Sequence, residues 1–122
     1  MACSNVDLVF INGYSNTETL VVGEKKNGVV SEFDFTATTR IVLELYDTAD
    51  VLADTIDSDT SPLAIDWSAN PTMGEVVLAL GIEGIVAGLY SVRLIQYSPT
   101  KPSGEIIDRG DIYTFDVEVK DV

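Results

Sequence analysis

Apolar and polar residues alternate with a period of two along most of this 122-residue chain, the spacing of a strand and not of a helix. Ile41, Leu43 and Leu45 alternate with Val42, Glu44 and Tyr46, and Leu63, Ile65 and Trp67 alternate with Ala64, Asp66 and Ser68. Val76, Leu78 and Leu80 form a third series, and Tyr90, Val92 and Leu94 a fourth. Tyr113, Phe115, Val117 and Val119 close the chain, alternating with Thr114, Asp116, Glu118 and Lys120. Residues 6–11, 19–23, 29–36 and 51–57 are further strand candidates. Turn signals separate them: Asn12-Gly13, Lys26-Asn27-Gly28, the acidic 47–50 stretch, Asp59 to Pro62, Asn70-Pro71, and Ser98-Pro99 through Gly104. The best helical window, 81–87, is too short and has a glycine close to each end.

About eight or nine short strands at this spacing predict an all-β sandwich or barrel. Two residues favour the sandwich. Trp67 falls on a face expected to point inward, where one large ring fills the gap between sheets. Gly88-Leu89-Tyr90 feeds a tyrosine into a strand after a glycine turn, the pattern of a tyrosine corner in Greek-key sandwiches. No repeat, linker or low-complexity tract divides the chain, so 1–122 is expected to be one domain, with 1–37 serving as an N-terminal arm or extra edge strands. A domain of this length buries roughly two thirds of its surface on folding.

Twenty Asp and Glu against seven Lys and Arg give a net charge of −13, which repels phosphate backbones and argues against nucleic acid as a partner. Because 46% of the residues are hydrophobic, the acidity belongs to loops and solvent faces and not to a disordered chain. The first seven residues carry neither a basic segment nor an apolar core, so no secretory signal is read there. The lone Cys3 fits a reducing compartment, and a cytoplasmic site of synthesis is expected.

The chain has no histidine, which removes the commonest general base and metal ligand. Cys3 without a histidine is a poor nucleophile, and Lys25, Lys26, Lys101 and Lys120 lie in turns or near the terminus, where they are expected to be solvated. Asp57 with Asp59, and Asp108 with Asp111, are the carboxylate pairs with glycosidase potential, but both sit in turn sequences where Asp caps backbone. Calcium would need oxygen ligands gathered from Asp47, Asp50, Asp57 and Asp59, which come together only if the 47–50 turn folds them onto one another. No enzyme, cofactor or metal is expected.

Apolar residues on both faces of some strands are the strongest functional signal. Leu8 and Phe10 are expected inside, leaving Val9 and Ile11 outside, and Val76 beside Val77 and Ile106 beside Ile107 repeat the pattern. Leu89, Ile95 and Tyr97 share the face opposite Tyr90, Val92 and Leu94, and are the expected interaction surface. Exposed Tyr14, Tyr46, Tyr97 and Tyr113 support an alternative, a carbohydrate- or cell-surface-binding module.

Four segments in order carry a family likeness: 40–47 (Arg-Ile-Val-Leu-Glu-Leu-Tyr-Asp), 63–67 (Leu-Ala-Ile-Asp-Trp), 74–80, and 88–102, preceded by Ala87. Together they resemble small immunoglobulin-like β-sandwich proteins found among the structural proteins of tailed bacteriophages. The likeness covers residues 38–119 and leaves the first 37 unmatched. It implies an immunoglobulin-like Greek-key sandwich, and a non-enzymatic virion component of head, neck, tail or baseplate. Such a component docks onto other virion proteins or copies of itself, in rings or trimers.

Overall fold

The computed structural model describes residues 8–26, 28–107 and 114–121. The described residues form eleven strands: β1 (Leu8–Ile11), β2 (Glu18–Val21), β3 (Gly23–Lys26), β4 (Val29–Glu32), β5 (Arg40–Tyr46), β6 (Leu52–Asp57), β7 (Ile65–Asp66), β8 (Glu75–Leu78), β9 (Gly88–Ser98), β10 (Lys101–Ile106) and β11 (Thr114–Lys120). Two single-turn 3-10 segments, Pro71–Met73 and Leu80–Ile82, are the only helical backbone among the described residues.

The principal sheet has six strands in the order β1-β11-β9-β5-β6, with β10 also paired to β9. It is mixed, since β1 runs parallel to β11 while the other pairs are antiparallel. A three-stranded sheet, β2-β8-β7, supplies Leu20, Val76, Leu78 and Ile65 to the same core that Phe10, Ile41, Leu43, Leu45, Val92, Leu94 and Val117 fill from the large sheet. β3 and β4 form a separate two-stranded hairpin.

The alternation is realised most fully in β9, where Tyr90, Val92, Leu94, Gln96 and Ser98 are all buried and the residues between them are partly or fully exposed. Ile41, Leu43 and Leu45 are fully buried, as is Phe10, and Ile11 faces out. The polar members of this inner row are partnered: Gln96 accepts from Thr38 Oγ1 (2.9 Å) and donates to Glu105 Oε1 (3.0 Å).

Three expectations are corrected. Leu63 does not point inward; it is 82% exposed, and Ala64 takes the core position beside Ile65. The strand there is only Ile65–Asp66, entered through a turn closed by Ala64 N donating to Ser61 O, and that turn rotates the period out of phase. Trp67 follows this short strand and is half-buried against the rim of the core, lining a cleft with Pro62, rather than filling the middle of the sandwich. Finally, the strands number eleven among the described residues. Lys101–Ile106 pairs with β9 despite Pro102 and Gly104, because its register shifts between Lys101 and Glu105.

The connection from β8 to β9 is built on two glycines of different purpose. A Cβ on Gly81 would collide with the carbonyl oxygens of Ile11 and Tyr14, and Gly81 O accepts from Gly13 N at 2.9 Å. Gly84 has open space around it but a φ of +67°. Beyond them, the Tyr90 hydroxyl donates to Val86 O at 2.5 Å. Burial, with the charges of Asp54 and Asp47 nearby, raises the pKa of that hydroxyl above the ordinary tyrosine range and keeps it a donor.

Urea unfolding is expected to rank these contacts. Gly81→Ala should cost at least about 2 kcal/mol and Gly84→Ala about 1 kcal/mol. Equal costs would refute the distinction between space and dihedral angle. Tyr90→Phe should cost about 1–2 kcal/mol by leaving Val86 O without its partner, and unchanged stability would mean the bond contributes nothing.

Candidate functional site

The outward face of the six-stranded sheet holds the residues singled out from sequence. Leu89, Ser91, Arg93, Ile95 and Tyr97 alternate with the buried row of β9. Across the ladder, Tyr97 faces Arg40, Ile95 faces Val42, Arg93 faces Glu44 and Ser91 faces Tyr46. Ile95 and Tyr97 therefore share one region, while Leu89 lies six residues from Ile95, about 20 Å along the strand.

Arg40 organises the Tyr97 end. Its guanidinium lies 4.7 Å from the centroid of the Tyr97 ring on β9 and reaches the Asp57 carboxylate on β6, with Nε–Oδ1 at 3.0 Å and Nη2–Oδ2 at 2.5 Å. One side chain thus spans three strands. The Arg40 bonds hold the Asp57 carboxyl below the usual carboxylate range against the opposing effect of burial, and the Asp59 amide adds a further bond. Gly104 of β10 leans over the same region, so close that a Cβ there would come within 2.9 Å of both Ile95 and Tyr97. Val42 is buried on this outer face. Ile95 and Tyr97 are consequently half-covered from within the molecule.

A second arginine repeats the device further along. Arg93 lies 5.5 Å from the Tyr46 ring centroid and 4.0 Å from Glu44 Oε1, and the Tyr46 hydroxyl donates to that same oxygen at 3.1 Å. This bond, with burial, raises the Tyr46 pKa. Arg93 Nε is buried without a hydrogen-bond acceptor among the described residues. Tyr46 and Tyr97 thus each have an arginine at the ring, and Tyr14 is exposed just after the turn that follows β1. Tyr113 lies outside the described residues, as do Cys3, Asp108, Asp111 and the side chains of Lys25 and Lys26.

Leu89 belongs to a different place. With Tyr90, Val117, Asp47, Thr48, Ser91 and Asp116 it lines a cleft of about 160 Å³ beside the tyrosine corner.

The four aspartates considered for calcium do not come together. Asp47 and Asp50 form the β5–β6 turn, whereas Asp57 pairs with Val42 at the far end of that hairpin. Asp47 Oδ1 accepts from the amides of Ala49 and Val51, so it serves its own turn. Among the described residues no group of three or more His, Cys, Asp or Glu side chains is placed to hold a metal. Lys101 pairs with Glu105 at 3.4 Å and Lys120 with Glu118 at 4.0 Å.

Sequence reasoning missed the arginines. The signal was present in the i, i+2 run Arg40, Val42, Glu44, Tyr46, which puts cation, anion and ring on one strand face, but it needs the cross-strand register to become a contact. No protein-family model matches the chain, and no curated protein or solved structure matches it either.

The Arg40–Asp57 pair has a pH signature. With its folded pKa lowered, Asp57 contributes stability that is present above the unfolded value of about 3.9 and is lost as pH falls through the folded value. The urea midpoint of the wild type should therefore drop on going from about pH 5 to about pH 3, and Asp57→Asn should flatten that slope. Parallel slopes in the two proteins would refute the assignment.

Proposed function

We propose that this protein is a non-enzymatic structural component of a tailed-bacteriophage particle, an immunoglobulin-like sandwich that works by docking onto other virion proteins. The strand order is the observation that carries the fold part of this reading. β11-β9-β5-β6 against β2-β8-β7 corresponds to the G-F-C-C′ and B-E-D order of immunoglobulin-type sandwiches. The tyrosine corner stands at the start of β9, the position it takes at the E–F corner of that fold. The disulfide and strand-C tryptophan of antibody domains have no counterpart: the chain has one cysteine, and Trp67 follows β7.

The family likeness of residues 38–119 supports the phage assignment. The chain has no histidine, and Arg40, Arg93, Lys101 and Lys120 are paired to carboxylates, so an acid–base role would fall chiefly to carboxylates, of which Asp57 is tied to Arg40. Docking in several copies on a symmetric particle lets individually weak contacts add. Synthesis is in the host cytoplasm and residence in the virion. A carbohydrate- or cell-surface-binding module is the alternative. It is disfavoured because Arg40 and Arg93 occupy ring faces of Tyr97 and Tyr46 that a sugar would need.

Mass spectrometry of washed, purified particles is expected to detect the chain at a copy number set by the symmetry of its attachment site. Its absence from particles would overturn the assignment. A Trp67 fluorescence response to glycans would favour the alternative.

A further inference from the structure

We propose that the tyrosine-corner end of the sandwich is the docking surface, and that it takes a protein whose apolar contact residues are ringed by lysine and arginine. This inference rests on the docking role proposed above. Exposed apolar side chains gather here. Ile11 and Tyr14 sit on the turn whose carbonyls press on Gly81, next to Ile82. Asn12 Nδ2 donates to Ile85 O at 2.7 Å, which holds this turn beside Val86, and Val86 O accepts from Tyr90. Val86 is 78% exposed. Leu89 follows, and shares its cleft with the β5–β6 turn that carries the exposed Val51.

Charge selects the occupant. Asp47 and Asp50 stand in the β5–β6 turn, Glu83 beside Ile82, Glu118 opposite Leu89, and Asp121 against Asn12. Lys120, the nearest described cation, is paired to Glu118, and Arg93, one row further in, to Glu44. Two copies docked through this end would bring carboxylates against carboxylates on chains of −13 each, which argues against a second copy. A partner with basic residues around an apolar centre meets both features. The 160 Å³ cleft offers it an apolar floor of Leu89, Tyr90 and Val117 beside Asp47, a setting for one long cationic side chain.

The test is titration of the ¹⁵N-labelled full chain with three peptides: an amphipathic Leu/Lys peptide, its Leu/Glu counterpart, and a Lys/Ser peptide without apolar residues. Only the Leu/Lys peptide should bind, shifting amides of residues 11–14, 47–51 and 82–90, and its affinity should fall as salt is raised. Ile82→Ser with Val86→Ser should weaken it about tenfold or more, whereas Val21→Ser with Met73→Ser, exposed elsewhere, should leave it unchanged. Equal binding by the Lys/Ser peptide, shifts along the Arg40–Tyr97 region, or wild-type dimerisation abolished by the Ile82/Val86 changes would each overturn the proposal. Binding at this end by a chain absent from purified particles would keep the surface and remove the phage role. Shifts elsewhere in a chain found in particles would do the reverse.

Discussion

Strand β9 is the constraint on which the rest of the structure depends, because both of its edges are paired along nearly its whole length. β5 runs along one edge from Ser91 to Tyr97. The other edge is shared, with β11 opposite Gly88 to Arg93 and β10 opposite Ile95 to Ser98. A strand enclosed in this way must be in register with three neighbours at once, and a slip by one residue would send Val92 and Leu94 to solvent. Tyr90 fixes that register at its start, since the ring is buried in the core while the hydroxyl is tied to Val86 in the preceding connection. Gln96 and Ser98 fix it at the other end, where the inner row turns polar and closes onto Thr38, Glu105 and Thr100.

The outer face of the same sheet is held by a different chemistry. A chain of −13 spends Arg40 and Arg93 in the middle of this face, each over a tyrosine on the neighbouring strand and each beside a carboxylate. Half-exposed pairs of this kind contribute modestly to stability singly. Their geometric consequence is larger, because a guanidinium that spans β9, β5 and β6 fixes lateral order where side chains have no core to pack into. The edge beyond β6 is blunted by another acid: Asp54 Oδ1 takes the Thr55 amide at 2.8 Å, which removes a donor from an incoming strand.

The alternation read from sequence carried over where strands are long and failed where they are short. In β9 the period of two holds from Tyr90 to Ser98, and in β5 and β11 the inward residues Ile41, Leu43, Leu45, Phe115, Val117 and Val119 were legible one by one. At Leu63 a turn shifts the phase within a single residue, and nothing local distinguishes that from a continuing strand. β10 was hidden by Pro102 and Gly104, which read as loop but serve a bulge, and the bulge is what half-covers Ile95 and Tyr97. Tyr90 was legible because its partner lies four residues away, and the Arg40–Tyr97 contact was not because its members are 57 positions apart. The proximity of the four aspartates failed for the same reason: a hairpin joins its turn to its own strands and separates the turn from the strands' far ends.

Acidity and apolar exposure then become one property instead of two. The described cations, apart from Lys120 and the side chains of the β3–β4 hairpin, sit on the outer sheet face or at the Lys101 end. The corner end is left with carboxylates around valine, isoleucine and tyrosine. An apolar patch on a neutral protein invites its own copies, but the same patch inside a carboxylate ring repels them at separations within a Debye length, about 8 Å at physiological salt. On the docking surface proposed above, the ring would disfavour self-pairing through Val86 and Ile82. Only a surface of opposite charge turns that repulsion into attraction, so in the docking proposed above the carboxylates that oppose self-pairing also select the partner.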